Sequence, residues 1–173
     1  MATLFIEHFF PGITPDEFWA MLLDKQFDRE LQPALGVRQR EELERKDDGK
    51  RLQRRIRMVP GFPAPAAVQK ALDNVELEYM EESTYDRERG ELHWVITPNV
   101  LKERVTARGV VRVRPEGNGV RRTIDGEVTV RLLGLGGLIE KLVKENTVRS
   151  YEGASRFTAE FIRQGRHKGL RLA

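Results

Sequence analysis

The stretch of sequence that decides the fold is GLGGLIEKLVKENTVRSYEGASRFTAEFIRQ, residues 134–164. Its apolar side chains recur at the three- and four-residue spacing that is typical of an amphipathic helix. The pattern predicts one helix from Leu138 to about Arg163. At 1.5 Å per residue, a helix of about 26 residues is roughly 39 Å long, which is enough to lie across a whole sheet.

Three glycines precede this helix, at positions 134, 136 and 137, and a glycine-rich turn between a strand and a helix can bind phosphate. A dinucleotide-binding turn, however, is followed by a further parallel strand and by an acidic residue about 20 positions on. Here only the helix and the terminus follow. We therefore interpret the glycines as a tight reversal that lays the helix across the sheet.

The residues ahead of the helix follow the period-two pattern of strands, separated by the turn sequences DDGK, DRERG and EGNG. The predicted strands cover residues 3–10, 37–46, 51–59, 75–85, 91–98, 102–114 and 120–132. Thr14 and Pro15 suit the N-cap and first position of a short helix, and a second is expected from Gln26 to about Leu35. This order predicts an α+β fold. A curved antiparallel sheet of about seven strands wraps around a long C-terminal helix, with two short helices after strand 1.

The EGNG turn at residues 116–119 sets the register of the last hairpin. It places Val113 opposite Arg122, and one face of the hairpin is then apolar except for Arg122. It also places Gly109 opposite Gly126. Because glycine within a strand marks a sharp bend or a close approach, we expect strong curvature there, with the concave face towards the long helix.

The same alternation predicts which side chains of the other strands face inward. They include Gln39, Glu41 and Leu43 in the second strand, and Val75 and Ser83 in the fourth. The charged inward residues are Glu41, Arg54, Glu81 and Arg122, with His8 as a further candidate. Two acids and two bases balance, as burial requires. This set is compatible with an internal salt network, with the polar lining of a pocket, or with ion pairs at the rim of the sheet.

Composition narrows the function classes. The 173 residues include 30 lysines and arginines against 27 acidic residues, a net charge of +3 with both signs interleaved. Interleaving favours a solvated surface over a nucleic-acid-binding face. There is no cysteine, the three histidines share no ligand spacing, and no signal peptide is recognisable. We predict a single cytoplasmic domain over residues 1–173, monomeric or weakly dimeric, without a metal, cofactor or nucleic-acid partner.

Two segments carry a family resemblance. The first is TLFIEHFFPGITPDEFWAMLLD, where a strand leads through a Thr-Pro cap into an aromatic-bearing helix, and the second is the long C-terminal segment. In these segments and in the order of its elements, the chain resembles the START and birch-pollen-allergen-like (SRPBCC) superfamily, which has the helix-grip fold, and most of all its bacterial members of unknown function. The resemblance implies a cavity between sheet and helix. Relatives use it to bind lipids, polyketides, hormones or other apolar molecules, and some relatives catalyse cyclisation.

The expected function is therefore binding or transport of a hydrophobic or amphipathic molecule, lipid or polyketide-like, in a mostly apolar cavity. The predicted ligand-binding residues are Arg54, Ile56, Met58, Leu77, Tyr79, Glu81, Trp94, Ile96, Val111, Arg122, Ile124, Val128, Val143 and Tyr151. Ile139 and Phe161 are expected in the same walls. No catalytic set of a relative transfers residue by residue.

Two alternative functions stay open. The first is a cyclase- or hydratase-type enzyme, in which Arg54 or Arg122 stabilises an enolate-like charge. Tyr79, His8 or Glu81 would then act as acid or base. The second is a protein-interaction module that holds no small molecule.

The proline-rich loop at residues 59–68 is apolar where a loop should be polar. It either packs over one end of the core or forms a lid, with Phe62 at the cavity mouth, that also contacts a membrane or a partner protein. Gly153, in the middle of the long helix, either makes room for a ligand beside Tyr151 and Phe157 or permits close packing.

Overall fold

The structure is a computed structural model that describes residues 1–61, 63–71 and 73–172. Its strands are β1 (Ala2–Pro11), β2 (Val37–Asp47), β3 (Arg51–Pro60), β4 (Tyr79–Asp86), β5 (Glu91–Pro98), β6 (Val105–Glu116) and β7 (Gly119–Val130). Its α-helices are α1 (Pro15–Leu22), α2 (Lys25–Leu31), α3 (Ala66–Ala71) and α4 (Gly136–Arg163), and a 3₁₀ helix covers Gln32–Leu35. The predicted order of strands and helices is confirmed.

The strands form one antiparallel sheet in the order β1-β7-β6-β5-β4-β3-β2. The predicted register of the last hairpin is present: Val113 lies opposite Arg122, and Gly109 opposite Gly126. β1 pairs with β7, which leaves β1 and β2 at the two edges. β4 begins at Tyr79, four residues later than predicted, so the expectation that Val75 faces inward is wrong and its side chain is 49% exposed.

The inward face of β2 also differs from the prediction. Two register shifts interrupt its pairing with β3, one after Val37 and one after Glu42. Each extra residue moves the following side chains to the opposite face. Gln39, Glu41 and Leu43 are therefore exposed, whereas Arg40 and Glu42 are partly buried. Uniform alternation could not reveal these shifts.

The paired glycines of β6 and β7 permit the side chains of Trp94 and Leu4 to approach the sheet closely. A Cβ atom on Gly109 would lie 2.5 Å from the Trp94 ring, and one on Gly126 would lie 3.2 Å from the Leu4 side chain. Trp94 and Leu4 therefore occupy the space that side chains at these two positions would otherwise fill. The glycine-rich segment after β7 forms the turn into α4, with Gly134 at a φ of +77°.

The two halves of α4 have different surroundings. Most of its buried residues lie in the C-terminal half, at Ala154, Thr158, Phe161 and Ile162, whereas Ile139 is the one buried residue described in the N-terminal half. The C-terminal half packs on Phe27 of α2, whose ring centroid lies 5.0 Å from that of Phe161. Among the described helices, none has both the length and the hydropathy needed to cross a membrane.

Of the two roles expected for Gly153, room for a ligand or close packing, the structure supports close packing. A methyl group on its Cα would overlap the backbone carbonyl oxygen of Ala34 in the 3₁₀ helix. The same region is joined by a hydrogen bond of 2.7 Å from the Ser150 hydroxyl to the Leu35 carbonyl oxygen. Gly153 therefore lets α4 lie directly against the backbone that follows α2.

We predict that Gly153→Ala destabilises the protein although alanine favours a helix by about 1 kcal/mol. The overlap with backbone that cannot move aside is expected to cost about 1–3 kcal/mol beyond that gain. Gly137→Ala, in the same helix but with nothing within 4 Å of its Cβ, is the matched control and should leave stability unchanged or raise it. Urea unfolding measures both variants. Equal stabilities would contradict the packing role of Gly153.

Candidate functional site

A cavity of about 560 Å³ lies between the inner face of the sheet and α4. Apolar side chains from β3, β5, β6, β7 and α4 line most of it. The predicted residues on its surface are Arg54, Met58, Leu77, Tyr79, Glu81, Trp94, Ile96, Val111, Arg122, Val128, Ile139, Val143 and Tyr151. The register of the strands thus brings together side chains from five strands and the terminal helix.

Three expected wall residues do not reach the cavity surface. Ile56 and Ile124 point inward but are completely buried by their neighbours, and Phe161 packs in the aromatic cluster with Phe27 and Phe157. Strand alternation identifies the face on which a side chain lies. It does not show which side chains on that face are covered by others.

Asp28 and Arg40 belong to the cavity lining and were not predicted. Arg40 Nε donates to both Asp28 carboxylate oxygens at 3.1 Å, and Arg40 Nη1 lies 3.7 Å from Glu81 Oε2. The expected acid Glu41 instead faces solvent. An internal salt network therefore exists, with Arg40 and Asp28 from β2 and α2. The register shift in β2 concealed Arg40, and no local pattern marked Asp28.

A row of buried polar groups crosses the floor of the sheet beside this network. Arg54 lies opposite Ser83, and Ser83 lies opposite Trp94. Arg54 Nε and Nη1, Ser83 Oγ and Trp94 Nε1 are buried without a hydrogen-bond partner among the described residues. Burial lowers the pKa of Arg54, while Glu81 opposes that shift. Arg54 and Trp94 also belong to the cavity lining.

Arg122 forms a separate polar group with His8. Arg122 Nη2 lies 2.9 Å from His8 Nδ1, and the guanidinium carbon lies 5.2 Å from the Phe10 ring centroid and 5.6 Å from that of Tyr151. A guanidinium only donates, so Nδ1 is the acceptor and the His8 proton resides on Nε2. Burial lowers the pKa of Arg122 to about 10, which keeps it protonated at neutral pH.

The pKa of His8 is lowered to about 4, mainly by burial and then by the charge of Arg122. His8 is therefore neutral at pH 7. Burial raises the pKa of Tyr79 and of Tyr151 to about 12, so both phenols stay protonated and can donate hydrogen bonds. Within the described ranges, no group of three or more metal-ligating side chains comes together.

The outer end of the cavity is bordered by the proline-rich loop and α3. Pro60, Pro63, Ala64 and Pro65 line it, and Val68 packs against Ile139 of α4. Phe62, the residue expected at the mouth, lies outside the described residues.

A family model described as "Protein of unknown function (DUF2505)" matches residues 7–162 of the chain. No curated protein matches the sequence.

Solved structures of low sequence identity share the fold. A protein from Thermus thermophilus has a TM-score of 0.64 at 20% identity, with 90% of this chain and 96% of that one covered. The Zhui aromatase/cyclase from Streptomyces sp. R1128 has a TM-score of 0.61 at 15% identity, with 95% of this chain and 98% of that one covered. A START superfamily protein from Mycobacterium smegmatis has a TM-score of 0.56 at 13% identity, with 94% of this chain and 97% of that one covered. These similarities confirm the predicted helix-grip fold, which this chain shares with the START superfamily protein among them.

We predict that His8 makes the stability depend on pH. Its pKa is about 4 when folded and ordinarily 6.5, so the unfolded chain binds more protons between these values. His8 therefore favours the folded state above pH 6.5, and this contribution declines as the pH falls towards 4. His8→Asn keeps an acceptor near the Nδ1 position without a titrating group. Urea unfolding at pH 7.5, 6 and 5 should show a smaller loss of stability for the variant than for the wild type. Parallel losses would contradict a buried neutral His8.

Proposed function

The chain belongs to the family described as "Protein of unknown function (DUF2505)", and we propose that it binds a hydrophobic or amphipathic small molecule, lipid or polyketide-like, between the sheet and α4. The observation that carries the proposal is the cavity itself, of about 560 Å³ and lined mostly by apolar side chains. Small-molecule sites are typically concavities of about 300–1,000 Å³ with an apolar lining and a few placed polar groups. The cavity has both properties.

The arrangement supports a division of the ligand into an apolar body and a polar part. Met58, Ile96, Val111 and Val128 offer apolar surface, and the guanidinium groups of Arg54 and Arg122 belong to the same cavity lining. Burial of an apolar ligand here releases water from both surfaces, which stabilises the complex by about 25 cal/mol per Å² of apolar surface buried. Donors without protein partners gain hydrogen bonds only if the bound molecule carries oxygen acceptors.

A second candidate function is a cyclase-type reaction, favoured by the partnerless donors of Arg54 and by Tyr79 and Tyr151, which line the same cavity and stay protonated. Such donors stabilise an enolate-like oxygen. His8 does not suit the role of base, because its Nδ1 accepts from Arg122 and its pKa is about 4. Arg54→Met distinguishes the two functions: it abolishes turnover in an enzyme and weakens ligand binding modestly in a carrier.

We predict that the neutral fluorescent probe N-phenyl-1-naphthylamine binds the wild type with increased emission, and that filling the cavity prevents this. Ala107 lines the cavity and is buried, so Ala107→Phe should weaken probe binding at least about tenfold, equivalent to 1.4 kcal/mol. Thr106→Phe adds the same ring on the outer face of β6 and is the matched control. Circular dichroism verifies folding, and Val111→Phe is a second filling variant. Unchanged binding in both folded filling variants would refute the cavity as the site.

We further propose that residues 59–68 act as a lid on the cavity, and that the same loop contacts a membrane or a partner protein. Support comes from Pro63, Ala64 and Pro65, which line the outer end, and from the Val68–Ile139 contact, which holds the loop to α4. The apolar sequence of the loop and its position at the cavity mouth give it access to both ligand and surroundings.

If the loop is a lid, Val68→Asn should speed release of N-phenyl-1-naphthylamine several-fold in stopped-flow dilution, because the polar side chain weakens packing on Ile139. Lys70→Asn changes an exposed residue of the same helix and should leave release unchanged. Equal release rates for Val68→Asn and the wild type would exclude this gating contact. Co-sedimentation with phosphatidylcholine vesicles tests the membrane contact, which the same substitution should alter.

A further inference from the structure

Arg122 lines the end of the cavity that is far from the proline-rich loop. It lies on β7 eight residues from Val130, which packs beside Ile139 at the outer end. At about 3.3 Å per strand residue, that separation is roughly 26 Å. Its side chain is 2% exposed and lines the cavity. A molecule that enters past the proline-rich loop therefore meets Arg122 at the inner end.

The charge of Arg122 has no acidic counterpart in the described part of the chain. No carboxylate there lies within 4.0 Å of its guanidinium, whereas Arg40 has Asp28 at 3.1 Å and Glu81 at 3.7 Å. The hydrogen-bond partner of Arg122 is the neutral His8, and the adjoining groups are the rings of Phe10 and Tyr151. An interior charge without a counter-ion destabilises the folded state.

The geometry around Arg122 also leaves a donor available. His8 Nδ1 accepts from Nη2 and orients the guanidinium, whereas neither Nη1 nor the buried Nε has a hydrogen-bond partner among the described residues. Guanidinium groups bind carboxylates through two adjacent N–H donors. Neutral His8 orients the guanidinium without neutralising it, so the positive charge has no counter-ion among the described residues.

We propose that the molecule bound in this cavity is an amphipathic anion whose acidic oxygens pair with Arg122, while its apolar body extends towards the proline-rich loop. This inference rests on the proposed function and adds the ligand class. A carboxylate suits the site because it accepts two hydrogen bonds and compensates the buried charge. Arg122 thus selects for an acidic head group, and the apolar walls select for the chain or ring system attached to it.

The test compares two probes of equal chain length, decanoate and decan-1-ol, by isothermal titration calorimetry at pH 7.5. The wild type should bind decanoate about 10- to 100-fold more tightly than the alcohol, the range expected for a charge-assisted hydrogen bond. Arg122→Met should abolish this preference while binding of the alcohol persists. Arg108→Met is the matched control, since Arg108 pairs with Glu127 and is exposed; the preference should remain.

Arg122→Lys keeps the charge without the two adjacent N–H donors and should retain part of the preference for decanoate. This variant covers the case that Arg122→Met does not fold. The wild-type comparison needs no variant. Equal affinities for decanoate and decan-1-ol would overturn the anion site and leave the proposed function intact. The same conclusion would follow if N-phenyl-1-naphthylamine binds and neither ten-carbon probe does. If none of the three probes binds, the proposed function itself fails, and the anion site with it.

Discussion

The cavity exists because the two halves of α4 pack differently against the rest of the fold. At Gly153 and beyond it, the helix packs on the 3₁₀ helix and on Phe27 of α2. Ahead of Gly153, it spans the sheet over space that α1 and α2 do not fill, and it meets protein again around Ile139 and Val68. Burial at the C-terminal end offsets the dispersion contacts that the lining of the cavity forgoes. Close contact at one end of α4 and a hollow at the other are thus parts of one packing arrangement.

The polar groups of the interior follow from the same geometry. Where α2 reaches the sheet it brings Asp28, which together with Glu81 neutralises Arg40. No helix brings an acid to Arg122 within the described part of the chain, and β1 supplies only the neutral His8. The interior therefore has one end where charges are balanced within the chain and another where a cation meets apolar rings. The two ends of the cavity therefore differ: the charge of Arg40 is compensated by carboxylates, and the charge of Arg122 is not compensated by any described residue.

Some of this was accessible from sequence. The EGNG turn and strict alternation located the inward face of β6 and β7, including the opposed glycines and Arg122. The apolar spacing after Gly137 located α4 within two residues of its observed start. Of the charged residues expected to face inward, Arg54, Glu81 and Arg122 lie in the cavity lining. It was wrong for Glu41, because the register shifts in β2 change which residues face inward.

Local periodicity and turn chemistry were sufficient for the elements, for most of the register and for an apolar interior, because each depends on neighbours within a few residues. The folded chain alone decided which inward residues reach open space and which charges are compensated. Those outcomes depend on contacts between distant segments: Asp28 with Arg40, Ala34 with Gly153, and His8 with Arg122 across 114 positions. A pattern within one strand or helix carries no information about a side chain that another element brings to it. The cavity and its uncompensated cation are therefore products of tertiary structure.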